Sequence, residues 1–523
     1  MRLIYSLLFL IGFTSGLFSQ VQNVMIGTLD EPEEPTIYIN SINPAIVMAG
    51  ANIHKVYLST DTGRTWTENN LTSNSGVWGD PVIIDDTAGN FYFLHLASPP
   101  TGAGHWIDRI VCQKYITDLG IWTEDTFMGL DGRPDFAQDK EWIAVDRTNN
   151  NLYVTWTQFD KYDTQDTTYK SNIMFSKSLD SGHSWSVAQR INKTSGDCID
   201  SDNTVEGATP AVGPNGEIYV SWAGPDGLVF DKSTDGGATW LVNDILISSI
   251  PGGWDFEIPG ISRCNGLPIT DCDLSGGPNH GTIYVNWSDQ RNGALNTDIW
   301  LAKSTNGGNN WSAPIRVNND STTANQFFTW MDIDQSTGYL YFVFYDRRNY
   351  SDEQTDVYLA VSKDGGQTFE NYKISESPFT PVSSVFFGDY NNISVQDGII
   401  RPIWTRFDPV NLLSVWTAII NPETNLSVKP IISDNGEMDV NVYPNPISET
   451  VFFSFKIKES STINLQVYDA KGSLIKVLID NEEYQPGMYI QEYNPTENNL
   501  SSGVYQFRYR VDSQIITKLF ILK

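Results

Sequence analysis

Five acidic side chains occur at wide intervals, each close to the start of an apolar run. They are Asp80 in VWGDP, Glu141 in DKEW, Glu206 in NTVEG, Glu257 in WDFEIP and Asp389 in FFGDYN. Clustered carboxylates bind Ca²⁺ through oxygen ligands, act as acid and base in glycoside hydrolysis, or accept hydrogen bonds from strand N–H groups. All three uses stay open, and each requires a fold that brings the five groups together.

Arginine and tyrosine form a second set of candidates. The arginines lie in SDQR, YDRR and TRFD, and are Arg291, Arg347, Arg348 and Arg406. A guanidinium pairs bidentately with a carboxylate, so these side chains either bind an acidic sugar or anchor their own loops through salt bridges. Tyr345 and Tyr390 are candidate nucleophiles, with Asp389 and Glu206 as candidate catalytic carboxylates.

One histidine and one acidic loop complete the candidates. His95 stands where other repeats have Trp or Phe. It is either the base of a lyase acting on a uronate polymer or a hydrogen-bonded structural histidine. The loop DCIDSDNTVE contains Asp197, Asp200 and Asp202, which either bind Ca²⁺ or form a solvated acidic loop.

The cysteines are typical of an exported chain. Cys264 and Cys272 flank the turn-rich segment NGLPITD, which predicts a local disulfide. Cys112, in the apolar run RIVCQKYI, is predicted to be a buried thiol, and Cys198 has no obvious partner. No CxxC or Cys/His spacing favours a zinc site.

An eight-residue motif, S-x-D-x-G-x-[ST]-W, recurs about every 60 residues. The copies are STDTGRTW, SLDSGHSW, STDGGATW, STNGGNNW and SKDGGQTF, with a degenerate copy, YITDLGIW, at Asp118. The side chain of the acidic residue can accept bonds from nearby backbone N–H groups, and the glycine allows a positive φ. The motif therefore predicts a turn.

A β-hairpin pattern repeats in register with this motif. Its second strands include NLYVTWT, EIYVSWA, TIYVNWS and YLYFVFY, and the hairpin occurs seven times. Each unit then has four strands, and the segment VQNVMIGT can supply the strand missing from the last unit. This organisation predicts an all-β, seven-bladed β-propeller over residues 21–420, with six blades as the alternative. The five carboxylates would then ring the mouth of its channel.

The motif resembles the Asp box of the sialidase superfamily, and the resemblance covers residues 21–420. It implies that the motif lies on the turn between the third and fourth strands, on the face away from substrate. It also implies three arginines that hold a sugar carboxylate, a tyrosine nucleophile activated by a glutamate, and an aspartate as acid and base.

The sequence changes character after Pro422. VYPNP, YDAKG, SSGVYQFRY and the closing KLFILK resemble the C-terminal sorting domain of type IX secretion. The resemblance implies a small Ig-like β-sandwich over residues 438–523, after a linker at 421–437, and export across an outer membrane. An ordinary Ig-like binding module is the alternative.

Composition and the N-terminus limit the partners. The net charge of −30 argues against nucleic acid and anionic membrane surfaces. Residues 1–20 have one early positive charge, an apolar run and a polar end, which predicts a signal peptide and no transmembrane segment.

We therefore expect a secreted or outer-membrane-surface propeller that engages extracellular glycans and the type IX machinery, with Ca²⁺ as a candidate cofactor. Glycoside hydrolysis is the favoured activity. A non-catalytic carbohydrate-binding or adhesion propeller and a polysaccharide lyase are the alternatives.

Overall fold

The structure, a computed structural model, describes residues 21–408, 413–420, 440–443, 447, 450–457, 460–469, 473–495, 500–511 and 514–522. The predicted signal peptide and linker lie outside these residues. The chain divides into two compact units with the boundary between residues 426 and 427. Every regular element in the described ranges is a β-strand. Within those ranges no helix is long and apolar enough to cross a membrane.

The first unit contains seven sheets, which we number as blades in chain order. The first strand of the chain, β1, is Gln22–Gly27. Blade one holds β2 (Thr36–Ile39), β3 (Val47–Ala51), β4 (Lys55–Ser59) and β5 (Thr67–Asn70). Blade two holds β6 (Gly79–Asp85), β7 (Phe91–Leu96), β8 (Ile110–Ile116), β9 (Ile121–Trp122) and β10 (Thr126–Met128). Blade three holds β11 (Ala137–Asp146), β12 (Asn151–Phe159), β13 (Ser171–Ser178) and β14 (Gln189–Arg190).

The remaining blades repeat this order. Blade four holds β15 (Glu206–Val212), β16 (Ile218–Gly224), β17 (Gly227–Ser233) and β18 (Ile245–Ser248). Blade five holds β19 (Ile269–Cys272), β20 (Ile283–Asp289), β21 (Asp298–Ser304) and β22 (Ile315–Arg316). Blade six holds β23 (Gln326–Asp334), β24 (Tyr339–Asp346), β25 (Asp356–Ser362) and β26 (Glu370–Lys373). Blade seven holds β27 (Asn392–Gln396), β28 (Ile399–Phe407) and β29 (Leu413–Ile419).

The blades form a closed ring. The first strands of the blades, β2, β6, β11, β15, β19, β23 and β27, contact one another in that order, and β27 returns to β2. β1 pairs antiparallel with β29, with Gln22 opposite Ile419, and completes blade seven. The sequence prediction that the N-terminal segment supplies this missing strand is therefore confirmed.

The repeated motif forms the turn between the third and fourth strands of five blades. In STDGGATW, Asp235 Oδ1 accepts hydrogen bonds from the N–H groups of Ala238 and Thr239 at 3.1 and 2.8 Å. The N–H of Gly237, at φ 79°, donates to Ser233 Oγ at 2.8 Å. The carboxylate thus closes the turn on its own backbone.

The same motif also joins neighbouring blades. The ring of Trp240 meets Phe175 of blade three at a centroid distance of 5.0 Å. Lys177 of blade three donates to the carbonyl of Gly236 in the blade-four motif at 2.6 Å. Lys232 and Lys303 repeat this contact, donating to Gly307 and Gly365 of the next blades, each at 2.5 Å. The motif is therefore a clasp between blades.

The first strands carry an irregularity at their N-terminal ends. Glu34, Asp80, Lys140 and Phe328 all have φ between 48° and 50°, and Gly207 has φ 71°. Register shifts interrupt the pairing of β6, β11, β15 and β23 at these points. A β-bulge re-aims side chains at a sheet edge, and a non-glycine residue at positive φ is uncommon. In an antiparallel blade these ends lie on the face opposite the motif turns.

The C-terminal unit is a two-sheet sandwich. One sheet holds β30 (Val440–Tyr443), β31 (Val451–Ile457) and β34 (Gly487–Tyr493). The other holds β32 (Ser461–Asp469), β33 (Leu474–Tyr484), β35 (Gly503–Val511) and β36 (Gln514–Leu522). Both sheets contribute to one aromatic core that includes Phe453, Phe507 and Phe520. The predicted sandwich fold is confirmed.

The predicted disulfide between Cys264 and Cys272 is wrong. All four cysteines are free and buried. Cys272 ends β19, whereas Cys264 precedes that strand and packs in a different apolar cluster. An extended strand separates its ends by more than a disulfide can span. Cys112 is buried in β8 as predicted, and burial raises the pKa of its thiol to about 12.

Candidate functional site

The bulged ends of the first strands converge on Lys140. Its ammonium lies 2.8 Å from a carboxylate oxygen of Asp389, 3.2 Å from Asp80 and 3.5 Å from Glu34. All four side chains are buried. They come from blades three, seven, two and one, so the ion pairs join parts of the chain that are far apart in sequence. We call these residues the axial cluster.

Arg263 connects the axial cluster to solvent. Its Nε donates to Asp389 Oδ1 at 2.8 Å, its NH2 group contacts Asp389 Oδ2, and its NH1 group lies 3.3 Å from Asp200. Its side chain is 40% exposed, whereas that of Asp389 is 3% exposed. Arg263 precedes β19, so blade five contributes a cation here.

Burial and the two cations shift the pKa values of the carboxyl groups in opposite directions. Burial raises the pKa values of Glu34, Asp139, Glu141 and Glu206 well above their usual range. At Asp389 burial acts the same way, but Lys140 and Arg263 outweigh it and hold the pKa well below its usual range. At Asp80 burial is the largest single cause, but Lys140 together with hydrogen bonds from Glu34 and Asp139 outweighs it and lowers the pKa. Burial and the cations therefore move the pKa values of neighbouring carboxyl groups in opposite directions.

Several polar atoms in this region have no hydrogen-bond partner among the described residues. They are both carboxylate oxygens of Glu141, Oε2 of Glu206 and the hydroxyl of Tyr390. Tyr390 lines a small cavity of about 30 Å³. Lys140, Asp389, Asn265, Trp142 and Trp330 also line it. The cavity has room for about two water molecules.

Exposed aromatic rings form a platform beside the cluster. Trp78 is 41% exposed and Trp106 is 43% exposed, and their centroids lie 5.6 Å apart. Trp106 also contacts Tyr162 at 5.6 Å, and the Tyr162 hydroxyl donates to Asp200 at 3.3 Å. The platform is thus connected through Asp200 to Arg263 and Asp389.

The structure brings together four of the five predicted strand carboxylates. Asp80 and Asp389 share Lys140. Glu141 is adjacent to Lys140 in sequence and interacts electrostatically with Asp80, and Glu206 interacts with Asp139 and Lys140. The placement of Glu257 was wrong. It is exposed in the loop before β19, because that strand begins at Ile269, later than the sequence pattern predicted.

The predicted arginines do not converge on one point. Arg291 and Arg348 each pair with the aspartate two residues earlier, Asp289 and Asp346. Arg347 donates to the carbonyl of Pro259 and to Thr355. The guanidinium of Arg406 lies 5.1 Å from the ring centroid of Trp416. Their geometry is that of loop anchors, the alternative left open by the sequence.

Two further candidates are buried away from any surface. Tyr345 is 1% exposed in an apolar cluster, and its hydroxyl donates to the carbonyl of Thr405 at 2.7 Å. Its surroundings contradict a role as nucleophile, because the ring packs in the apolar core and the hydroxyl is already paired with a backbone carbonyl. His95 is fully buried in β7, its Nδ1 lies 2.8 Å from the Leu96 carbonyl, and burial lowers its pKa to about 4. It is therefore a structural histidine.

The predicted Ca²⁺ loop does not gather its carboxylates. Asp197 accepts from Thr204, Asp200 pairs with Arg263, and Asp202 accepts from the N–H of Asp255. No group of three or more metal-binding side chains occurs in the described part of the chain. The three carboxylates are thus held separately, one within the loop and two by residues of the segment before β19.

Sequence reasoning missed Glu34, Lys140, Asp139 and Arg263. Glu34 precedes the first strand of blade one, so extending the strand-end rule to that blade would have found it. Lys140 lies in the segment DKEW, between Asp139 and Glu141. The sequence prediction considered only carboxylates at strand ends and therefore omitted this cation. Nothing in the local sequence of Arg263 indicates its role, because its partner Asp389 is 126 residues away.

Comparisons with known proteins give one family match and several structural likenesses. Residues 441–523 match the family described as secretion system C-terminal sorting domain. This confirms the predicted sorting domain and indicates export by type IX secretion to the cell surface or beyond. No curated protein sequence matches the chain.

The structural likenesses are distant. A sialidase from Trypanosoma rangeli is 11% identical over 95% of this chain and 89% of that chain, with a TM-score of 0.41. An ulvan lyase of polysaccharide lyase family PL25 is 11% identical over 76% and 96%, with a TM-score of 0.45. A Hadza microbial sialidase is 12% identical over 72% and 73%, with a TM-score of 0.41.

Proposed function

We propose that this protein is an exported propeller that engages an extracellular glycan at the platform beside its axial cluster. The observation that carries this proposal is the adjacent exposed pair Trp78 and Trp106. Ligand sites combine aromatic surface with a few fixed polar groups, and a pyranose ring presents C–H groups to the electron-rich face of an indole.

The surroundings of the platform support this proposal. Tyr162 contacts Trp106 and donates to Asp200, which pairs with Arg263. The two indole planes stand at 87° to each other, so a sugar would stack on one of them, with these donors and acceptors beside it. The ion pairs from blades one, two, three, five and seven hold these groups in place.

Glycoside hydrolysis is the second candidate function. It is favoured by neighbouring carboxyl groups whose pKa values shift in opposite directions. Burial raises the pKa values of Glu141 and Glu206, whereas Lys140 and neighbouring hydrogen-bond donors lower those of Asp389 and Asp80. Carboxyl groups whose pKa values are pushed apart are the usual basis of acid and base roles. Glu141 or Glu206 would supply the proton. Tyr390, with its unpartnered hydroxyl, stands as the remaining nucleophile candidate.

The binding test is a glycan array followed by titration calorimetry on the strongest ligand. The double variant Trp78→Ala, Trp106→Ala should weaken binding at least ten-fold, since stacking on an aromatic ring contributes on the order of 1 kcal/mol each. A matched control, Leu119→Ala with Leu179→Ala, removes exposed apolar side chains at the motif turns and should leave affinity within two-fold. Equal affinity in both variants would refute the platform site.

The catalytic test measures bond cleavage on the same ligand. If the protein hydrolyses it, Glu141→Gln or Glu206→Gln should reduce kcat at least a hundred-fold, because glutamine cannot donate the proton. Unchanged thermal melting confirms that each variant is folded. Tight binding without cleavage by the wild type would establish the non-catalytic alternative.

A further inference from the structure

We infer that the glycan recognised at this site carries positive charge, and that its class is a hexosamine polymer with free amino groups. This inference rests on the proposed function and specifies its ligand. It differs from the ligand implied by the sequence resemblance, which is an acidic sugar held by three arginines.

Carboxyl groups greatly outnumber cations around the axial cluster. Ten interact with one another or with its cations, namely Glu33, Glu34, Asp80, Asp139, Glu141, Asp200, Asp202, Glu206, Asp255 and Asp389. The cations among them are Lys140 and Arg263. Burial raises the pKa of Glu33 to about 7. If Glu33 is protonated together with Glu34, Asp139, Glu141 and Glu206, the other five carboxyl groups still outnumber the two cations.

Both cations are already paired with carboxylates. Lys140 is buried among Glu34, Asp80 and Asp389, and the partly exposed Arg263 spans Asp389 and Asp200. The predicted sugar-binding arginines are paired with aspartates, bonded to neighbouring loops or packed on an aromatic ring, as described above. A sialoside or a uronate would therefore bring its carboxylate towards a surface of the same sign, which disfavours binding.

Acceptors for an ammonium group lie on the exposed side of the cluster. Asp202 and Asp255 are exposed and lie next to Asp200, which accepts from Tyr162 of the platform. A hexosamine whose ring stacks on Trp106 can thus place its amino group near several carboxylates. Charge-assisted hydrogen bonds are about twice as strong as neutral ones.

The test compares oligomers that differ only in charge. A glucosamine hexamer, its fully N-acetylated counterpart, sialyllactose and an oligogalacturonate are titrated into the full chain at low and high salt. The glucosamine hexamer should bind at least ten-fold more tightly than the acetylated hexamer. Its advantage should shrink when sodium chloride is raised to about 0.5 M, because salt screens exposed charges.

Two double variants that remove negative charge test which carboxylates cause the preference for the glucosamine hexamer. Asp202→Asn with Asp255→Asn should reduce the preference for the glucosamine hexamer about five-fold, while the side-chain amide oxygen introduced at position 202 still accepts the bond from the backbone N–H of residue 255. The matched control, Asp118→Asn with Glu124→Gln, removes two exposed charges near the degenerate motif and should leave the preference unchanged.

The outcomes separate this inference from the proposed function. Tighter binding of sialyllactose, oligogalacturonate or the acetylated hexamer than of the glucosamine hexamer would overturn the inference and leave a glycan-binding propeller. If only the far control variant changed the preference, the inference would also be wrong. Failure of every glycan to bind would overturn both.

Discussion

The two faces of the propeller are built on opposite plans. On the motif face, five blades repeat the same turn, with the same hydroxyl and glycine and with an aspartate, or Asn306 in blade five, in nearly the same hydrogen bonds. On the axial face, the corresponding positive-φ position holds Glu34, Asp80, Lys140, Gly207 and Phe328 in blades one to four and six. The motif face repeats nearly the same side chains in these blades. The axial face keeps the same backbone conformation and varies the side chain.

This contrast separates scaffold from site. A turn that closes on its own backbone performs the same task in every blade, so its residues are interchangeable between blades. The axial residues bind one another across blades, so each must differ for the set to be complementary. The strain of positive φ at Asp80 and Lys140 is retained where the side chains are charged. Variation at an equivalent backbone position is therefore the better guide to function in this chain.

Replacing Lys140 should give the largest effect. Lys140→Met leaves Glu34, Asp80 and Asp389 buried together without their shared cation. Breaking a buried ion pair on one side costs about 3–5 kcal/mol, and the free energy of unfolding measured in urea should fall by that amount. Without the ammonium, burial should raise the pKa values of Asp80 and Asp389 above their unfolded values, as it already does for Glu34, so the variant should regain stability as the pH falls. A variant as stable as the wild type at pH 7 would contradict the central role of this cation.

A motif carboxylate should have a smaller effect, confined to one turn. Asp364 accepts from the N–H groups of Gln367 and Thr368 and from the Thr368 hydroxyl. Asp364→Ala should lower the free energy of unfolding by about 1 kcal/mol, as for loss of a capping side chain. Asp364→Asn should lower the free energy of unfolding by less, because Asn306 occupies this position in blade five and still accepts from the N–H of Asn310. If the Asn variant were the worse of the two, charge rather than turn closure would explain the motif.

The lysine contact that joins neighbouring blades should contribute less to stability than a motif carboxylate. Lys232→Met removes the bonds from the ammonium to the carbonyl of Gly307 and to Asn309 but keeps the aliphatic stem. Partly exposed interactions of this kind contribute about 0.5–1 kcal/mol. The melting temperature should fall by roughly a degree or two, with glycan binding unchanged. A change in glycan binding would show that the two faces are coupled.

Lowering the pH should gradually remove the stability that the motif carboxylates contribute. Hydroxyl and backbone N–H donors hold the pKa values of Asp61 and Asp180 at about 2. A carboxyl group whose pKa is lowered by folding stabilises the protein above its unfolded pKa, about 4, and loses that contribution as the pH falls through 2. The double variant Asp61→Asn, Asp180→Asn should therefore show a shallower loss of stability between pH 4 and pH 2. An unchanged slope would place the acid sensitivity elsewhere.

The sequence predicts most of the scaffold and only part of the site, for physical reasons. The motif and hairpins are local patterns, so their turns, the blade order and the closing strand follow from spacing. Asp80, Glu141, Glu206 and Asp389 could be found because strand ends recur in register. Arg263 could not, because its position depends on a loop before β19 that has no periodicity. The burial of Tyr345 and the pairings of the arginines depend on packing between blades, which single-sequence patterns do not contain.

The closing strand has a consequence for assembly. β1 pairs with β29 across almost 400 residues, from Gln22 to Ile419. Contacts between distant residues form late, because the entropy of closing a long loop must be overcome first. Until then β29 presents an open edge, and β1 of a second molecule competes with the chain's own strand for it. Crowded chains should therefore exchange these strands and form swapped dimers, and a chain trimmed of residues 21–27 would keep that edge unpaired.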